Sequence, residues 1–239
     1  TYRLLTFNPA DDLHVFDLRG NLNCPASTSL PGWGPMATAT PFSMSVDRSG
    51  RAWVLYTSGE IFWTDANNPE FCTLSPWESG TENFELFGMG FVTDAPGAGS
   101  EKLFVAGGTV NQMITHSTGR LGTIDPLDLN FEVVGTLSNS ELGPELTGTG
   151  DAELYAYFPG IGSSSVALVD RNIGTNALSW SVPTLPGDLR AWAFAHWGGR
   201  YYIFVTYIDP FQGQLSQVRR FDPSTGETDI VLDDIPYVI

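Results

Sequence analysis

Two aspartates occupy matching places in the internal pattern of this chain. Asp47 closes a run of alternating small residues containing Ser43 and Ser45, and Asp151 closes one containing Thr147 and Thr149. Carboxylates in such a pattern suit a hard, oxygen-seeking cation, so a Ca²⁺ site of irregular form, built on Asp47 and Asp151, is the one cofactor the sequence offers. The competing reading is that each caps a tight turn, as in Asp47-Arg48-Ser49-Gly50. Glu145 opens the run that Asp151 closes, and a strand of about five residues is roughly 15 Å long, which puts these two at opposite ends. Of the three histidines, His14 and His116 stand isolated, whereas His196 lies beside Trp192 and Trp197 and is a candidate for one end of an axial channel. Trp33 and Trp77 sit in Pro- and Gly-rich segments, Pro31-Gly32-Trp33-Gly34-Pro35 and Pro76-Trp77, where an indole can stack on a sugar, pack a partner or anchor a loop. Trp53, Trp63 and Trp180 read as strand core.

Other chemistries lack their residues. There is no G-x-S-x-G elbow, and Ser163-Ser164-Ser165 reads as a turn. Gly148-x-Gly150 does not open a helix, so it is no phosphate cradle. No C-x-x-C or Cys/His cluster supports zinc or dithiol redox chemistry. A carboxylate pair for glycoside hydrolysis can be imagined at a channel mouth, but sequence does not supply its separation.

Composition narrows the partners. The 239 residues carry 27 Asp and Glu against 11 Lys and Arg, a net charge of −16, and Lys102 is the single lysine. Such a surface repels polyphosphate backbones and anionic bilayers, so nucleic acid is not expected as a partner. At 42% hydrophobic and 13% aromatic the chain can bury a substantial core. No run reaches the roughly 18–20 apolar residues of a membrane helix, so no transmembrane segment is expected.

Those candidate groups must be positioned by strands, because helical periodicity is nearly lacking. A strand closing on Asp or Asn and a turn recurs at Asn8, Asp65, Asp125, Asp170 and Asp222, at intervals of 45–60 residues. Such an Asp has a local reason to be there: its carboxylate accepts from the backbone N–H two residues on. A short strand follows each turn: 13–18, 71–74, 131–137, 177–182 and 228–232. Two strands precede the last four repeats. The first alternates small residues (Ser43 and Ser45, Gly88 and Gly90, Thr147 and Thr149, Ala193 and Ala195), and the second is bulky (52–56, 103–106, 154–158, 201–205). Four strands per repeat, small at the start and bulky next, predict propeller blades: side chains crowd near the axis and fill wider gaps farther out. The expectation is a single all-β domain over residues 1–239, a five-bladed β-propeller of four-stranded blades. N-terminal strands within 1–20 would share the fifth blade with a C-terminal strand at 236–239, closing the ring and removing exposed edges.

Cys24 and Cys72 fall at equivalent ends of neighbouring units, so a Cys24–Cys72 disulfide is expected. In the chain-entropy description its 48-residue loop is worth about 3–4 kcal/mol. With scarce lysine and abundant Ser, Thr, Gly and aromatic residues, this fits an extracellular or cell-envelope protein.

Several segments together resemble one family. They are PFSMSVD at 41–47, GRAWVLYTSG at 50–59, FGMGFV at 87–92, PELTGTGD at 144–151, AWAFA at 191–195 and FDPSTG at 221–226. The family consists of uncharacterised secreted proteins and lipoproteins common in myxobacteria, and the resemblance spans nearly the whole chain. It implies export, a lipidated cysteine upstream of the folded part as anchor, and a cysteine-bearing tail past Ile239. It implies no activity.

The expected function is a non-enzymatic, exported binding or interaction module whose small-molecule, glycan or protein ligand meets a channel mouth or the rim loops. Trp33, Trp77, Trp192, His196 and Trp197 are its candidate contacts. Two alternatives stay open: a cation-dependent hydrolase or lyase at the channel mouth, and a structural or assembly subunit. Fold alone does not choose among them.

Overall fold

The structure is a computed structural model. It describes residues 2–7, 16–22, 24–25, 39–108, 119–137, 143–160, 162–185, 187–233 and 235. Eighteen strands carry the architecture: β1 (Tyr2–Phe7), β2 (Phe16–Leu22), β3 (Pro41–Val46), β4 (Arg51–Tyr56), β5 (Ile61–Asp65), β6 (Asn68–Leu74), β7 (Leu86–Thr93), β8 (Glu101–Gly108), β9 (Arg120–Ile124), β10 (Phe131–Thr136), β11 (Glu145–Gly148), β12 (Leu154–Phe158), β13 (Ser164–Val169), β14 (Asn176–Val182), β15 (Asp188–Trp197), β16 (Arg200–Asp209), β17 (Gly213–Asp222) and β18 (Glu227–Leu232). One 3₁₀ turn, Thr81–Asn83, is the only helical element among the described residues.

Consecutive strands pair antiparallel into four sheets of four, β3–β6, β7–β10, β11–β14 and β15–β18. These are blades 1 to 4 of a β-propeller. The turn chemistry read from the sequence holds residue by residue. Asp65, Asp125, Asp170 and Asp222 accept from the N–H of Asn67, Leu127, Asn172 and Ser224 at 2.7, 2.8, 2.9 and 2.9 Å. Asn8 lies outside the described residues.

Five four-stranded blades were expected and four are found, with β1 and β2 forming a separate two-stranded sheet. The cause is strand supply. Among the described residues the segment before β3 contributes the third and fourth strand types, with no first- or second-type strand joining them. The segment 236–239, expected to close the ring, lies outside the described residues.

The small residues of the first strands do what the axis demands. A Cβ on Gly88 would collide with the Pro144 carbonyl, and one on Gly90 would stand 2.9 Å from the Leu146 carbonyl carbon. β7 and β11 therefore meet backbone to backbone. First strands also have one edge without a ladder partner, and hydroxyls of the neighbouring blade satisfy it. Ser43 Oγ accepts from Met89 N at 3.2 Å, Ser45 Oγ from Phe91 N at 3.0 Å, and Thr147 Oγ1 from His196 N at 2.9 Å. The matched steps, 43 to 89 and 45 to 91, show that β3 and β7 run in the same direction, so Asp47 and Thr93 emerge at one shared mouth.

Bulky second and third strands fill the wedges between blades. Trp53, Leu55, Ile61, Phe87, Met89 and Phe91 form the core between blades 1 and 2. Val92, Phe104, Leu146, Leu154 and Ala167 join blades 2 and 3, and Tyr155, Tyr157, Phe194, Tyr201 and Phe221 join blades 3 and 4. The expected disulfide is present: Cys24, just past β2, bonds Cys72 in β6, with Cα atoms 5.0 Å apart. It ties the two-stranded sheet to the outer strand of blade 1.

Candidate functional site

The mouth at the ends of the first strands is built from four turns, and those of blades 1 and 2 are locked together. Arg48 of blade 1 donates from its backbone N to Glu101 Oε1 at 2.7 Å and from Nη2 to Thr93 Oγ1 at 2.6 Å, both in the β7–β8 hairpin. Its Nε lies 3.3 Å from Glu101 Oε2. Arg171 of blade 3 reaches the same hairpin from the other side, donating to the Thr93 and Asp94 carbonyls at 2.7 and 2.5 Å. Blade 2 is thus clamped by an arginine from each neighbour.

Asp47 belongs to this locked half and is a turn cap. Its Oδ1 accepts from Ser49 N, Ser49 Oγ and Arg51 N at 2.9, 2.5 and 3.0 Å, and its Oδ2 from Trp53 Nε1 at 3.1 Å. Burial pushes its carboxyl upward, but the bonds from Ser49, Trp53 and Arg51 outweigh that and hold it below the ordinary range. Oxygen lone pairs so occupied are not offered to a cation. Asp151, the other half of the expected metal pair, is exposed in the turn after β11, with its N–H donating to Thr149 Oγ1 at 3.2 Å. Blade 2 lies between the blades that carry Asp47 and Asp151, and no group of three or more His, Cys, Asp or Glu that could hold a metal is found among the described residues.

The junction of blades 3 and 4 is different. His196, half-buried at the end of β15, packs on Tyr201 with ring centroids 4.9 Å apart. Tyr201 lies 4.2 Å from Tyr155, which stacks on Trp180 at 6.4 Å. The Tyr155 and Tyr201 rings are buried against each other, and the exposed carboxylates Asp151 and Glu153 bear on them. Burial, the Tyr155 hydroxyl and those carboxylates raise the Tyr201 phenol well above its ordinary value. Burial lowers His196, with Asp151 opposing, so its imidazole is neutral at neutral pH. The result is an aromatic row ending in a neutral imidazole beside two carboxylates.

Of the candidates named from sequence, His196 and Asp151 are brought together, whereas Trp192 lies four residues back along β15, toward the opposite end of the axis. Trp192 Nε1 donates to the Gly143 carbonyl at 3.0 Å, which ties β15 to the segment before β11. Trp197 lies on the other face of β15 with Ala193 and Ala195, against Tyr202, Phe204 and Val218. Trp77 was expected as a loop aromatic available to a ligand. It is instead 8% exposed and packs edge-on against Phe87 and Phe131, each at 5.8 Å, as an anchor in the core. Trp33, His14 and His116 lie outside the described residues. Tyr155, Tyr201 and Glu153 were not singled out from sequence. The alternation in Leu154-Tyr155-Ala156-Tyr157 put two tyrosines on one face, but their partner comes from the next blade.

Glu145 is the other group whose chemistry is altered. It is 7% exposed near the axis and accepts from Ser43 Oγ at 2.9 Å, so it joins blades 1 and 3. Burial pushes its carboxyl up to about 8, against the hydrogen bonds from Ser43 and the Met89 N–H. It is therefore mainly protonated at neutral pH.

No family model matches the chain, and no curated protein matches it. Solved structures do. An α-L-arabinofuranosidase of family GH43 from Clostridium thermocellum superposes with a TM-score of 0.54 at 16% identity, covering 84% of this chain and 76% of that one. The GH43B protein of the Bacteroides ovatus xyloglucan PUL gives 0.56 at 15% identity over 84% of this chain, which spans only 42% of that protein. A thermostable family-43 glycoside hydrolase gives 0.52 at 10%, with coverages of 80% and 71%. At these identities the likeness establishes the propeller fold.

Proposed function

We propose that the chain is an exported binding propeller whose ligand meets the mouth between blades 3 and 4. The observation that carries this reading is His196 beside Asp151 and Glu153 at one mouth: a half-buried, neutral imidazole and two exposed carboxylates, standing on the buried rings of Tyr201 and Tyr155. Such a set fits a small cationic or hydroxyl-rich molecule. Export is supported by the Cys24–Cys72 disulfide and by the resemblance to secreted proteins and lipoproteins, which also supports a lipid anchor upstream. No helix among the described residues is long and apolar enough to cross a membrane. In the same reading, β1 and β2 are the outer strands of a fifth blade, and 236–239 supplies its first strand. Ile235 supports this: like Ala193, Ala195 and Trp197 it packs against Tyr202, Phe204 and Val218, on the face of blade 4 away from blade 3. The test is a thermal-shift screen of sugars and amines. A ligand at a hundredfold excess over its Kd should raise stability by about 2.7 kcal/mol, and His196→Ala should abolish the rise. A rise that survives His196→Ala removes this mouth from consideration.

A second reading has its own observation. Glu145 is a carboxylic acid that stays protonated at neutral pH, as a glycosidase general acid must. The GH43 likeness fits this reading of hydrolysis better than it fits binding. Against it, the three residue steps of β11 put about 10 Å between Glu145 and the mouth that carries Asp151, beyond the roughly 5–9.5 Å of glycosidase pairs. Hydrolysis of an aryl arabinofuranoside or aryl xyloside by the wild type and not by Glu145→Gln would establish it.

A further inference from the structure

A second recess lies away from the axis, on the face of blade 1 that turns toward blade 2. Its volume is about 420 Å³, and Ser49, Arg51, Trp63, Asp65, Phe71 and Thr73 line it. Strand register explains why these side chains meet. Arg51 pairs with Asp65 and Trp63 with Thr73, and residues two apart in a strand share a face. One face of β4, β5 and β6 therefore carries all of them except Ser49, which comes from the turn before β4. The Arg51 guanidinium lies over the Trp63 ring, 5.1 Å from its centroid. Trp63 is fixed from beneath by Trp53, edge-on at 5.2 Å.

Phe71 is the anomaly. It is 75% exposed within a strand, whereas the more exposed large hydrophobics among the described residues, Leu127 at 94% and Phe211 at 95%, stand in turns. Its ring lies open beside a guanidinium, a carboxylate and two hydroxyls. Asp65 uses Oδ1 to hold the Asn67 N–H, and Oδ2 carries no hydrogen bond among the described residues. The Trp63 N–H is buried without an acceptor, so the recess presents ring faces and not indole donors.

We infer that this recess is a carbohydrate-binding site for a neutral oligosaccharide, separate from the axial mouth. An open aromatic face suits the apolar C–H face of a pyranose or furanose ring, and Asp65, Arg51, Ser49 and Thr73 suit its hydroxyls. Neutrality follows from charge. Arg51 Nε already lies 3.9 Å from Asp47 Oδ2, and the chain carries −16 overall, so an anionic sugar gains little at this recess and is repelled at range.

Affinity electrophoresis in gels containing xylan, arabinan or mixed-linkage β-glucan tests this, with hexasaccharides of the retarding polymer then titrated against tryptophan fluorescence. At least one neutral polymer should retard the wild type. Phe71→Ala, which removes an exposed ring and should leave the melting temperature unchanged, should weaken binding about tenfold or more. Phe211→Ala, which removes an exposed ring from the β16–β17 turn of blade 4, should bind like the wild type, which separates this site from the loss of any surface ring. The proposal is overturned if no neutral polymer retards the protein, if Phe71→Ala binds unchanged, or if retardation occurs only with a charged polymer and vanishes in salt.

Discussion

The junction of blades 1 to 3 and the junction of blades 3 and 4 use the same device for opposite ends. In both, a hydroxyl on one first strand accepts a backbone N–H of the next: Ser43 and Ser45 toward β7, Thr147 toward β15. In the first, glycines bring the backbones into contact, Glu145 is sealed in, and Arg48 and Arg171 clamp the mouth. In the second, β15 carries alanines, tryptophans and a histidine that stay half-buried, and the mouth is lined with exposed carboxylates. A propeller can thus be rigid on one side of its axis and accessible on the other without a change of topology. The difference lies in what fills one position per blade.

The largest expected effect probes the sealed side. Glu145 has a folded pKa of about 8, against an ordinary value of 4.5. The folded state thus holds a proton that the unfolded state releases. Stability from this group is fully present below about pH 4.5 and is lost as pH rises to about 8, by on the order of 4–5 kcal/mol in total. Urea denaturation at a series of pH values should show that decline in the wild type, and Glu145→Gln should flatten it. A variant that declines as steeply as the wild type would mean the axis is wet and the two junctions are alike.

The next effect belongs to the outer edge of blade 1, which neither junction reaches. The disulfide fastens the two-stranded sheet to blade 1 across a loop of 48 residues, worth about 4 kcal/mol in the chain-entropy description. Reduction, or Cys24→Ser with Cys72→Ser, should lower stability by about that amount. A loss below about 1 kcal/mol would show that packing already holds this sheet and that blade 1 needs no covalent tie. Somewhat smaller is Gly88→Ala, whose Cβ meets the Pro144 carbonyl and should cost about 3 kcal/mol by overpacking. Ala193→Ser, at the equivalent position of the half-exposed β15, should cost far less; equal losses would erase the contrast.

Sequence carried the repeat because its cause is local. An Asp that caps its own turn is legible at Asp65, Asp125, Asp170 and Asp222 without knowledge of any neighbour, and so is the small-then-bulky order of strands. The disulfide followed from that order. The fifth blade was only half legible, because β1 and β2 match the third and fourth strand types while no first strand pairs with them among the described residues. The site was harder for a physical reason. Asp47 and Asp151 look alike in sequence, yet Trp53 and Arg51 close on one and leave the other exposed. Trp77 sits in a Pro-flanked segment that reads as a loop, and only the packing of Phe87 and Phe131 from blade 2 makes it core. Tyr155 and Tyr201 meet across blades, which no local pattern encodes.

The sharpest form of the comparison removes one equivalent bond from each junction. Ser45→Ala leaves the N–H of Phe91 without its acceptor, and Phe91 is 8% exposed in the core between blades 1 and 2. Thr147→Val does the same to the N–H of His196, which is half-buried at a mouth that water reaches. A buried donor left unpaired costs about 1–3 kcal/mol, whereas one that water can reach loses only the net worth of the bond, about 0.5–1.5 kcal/mol. Ser45→Ala should therefore destabilise by about 2 kcal/mol and Thr147→Val by about 1 kcal/mol or less, with amide exchange accelerating at residue 91 only when the whole blade opens and at residue 196 by local opening. Equal losses with equal exchange behaviour would mean that His196 is as enclosed as Phe91, and the mouth between blades 3 and 4 would no longer be a place for a ligand.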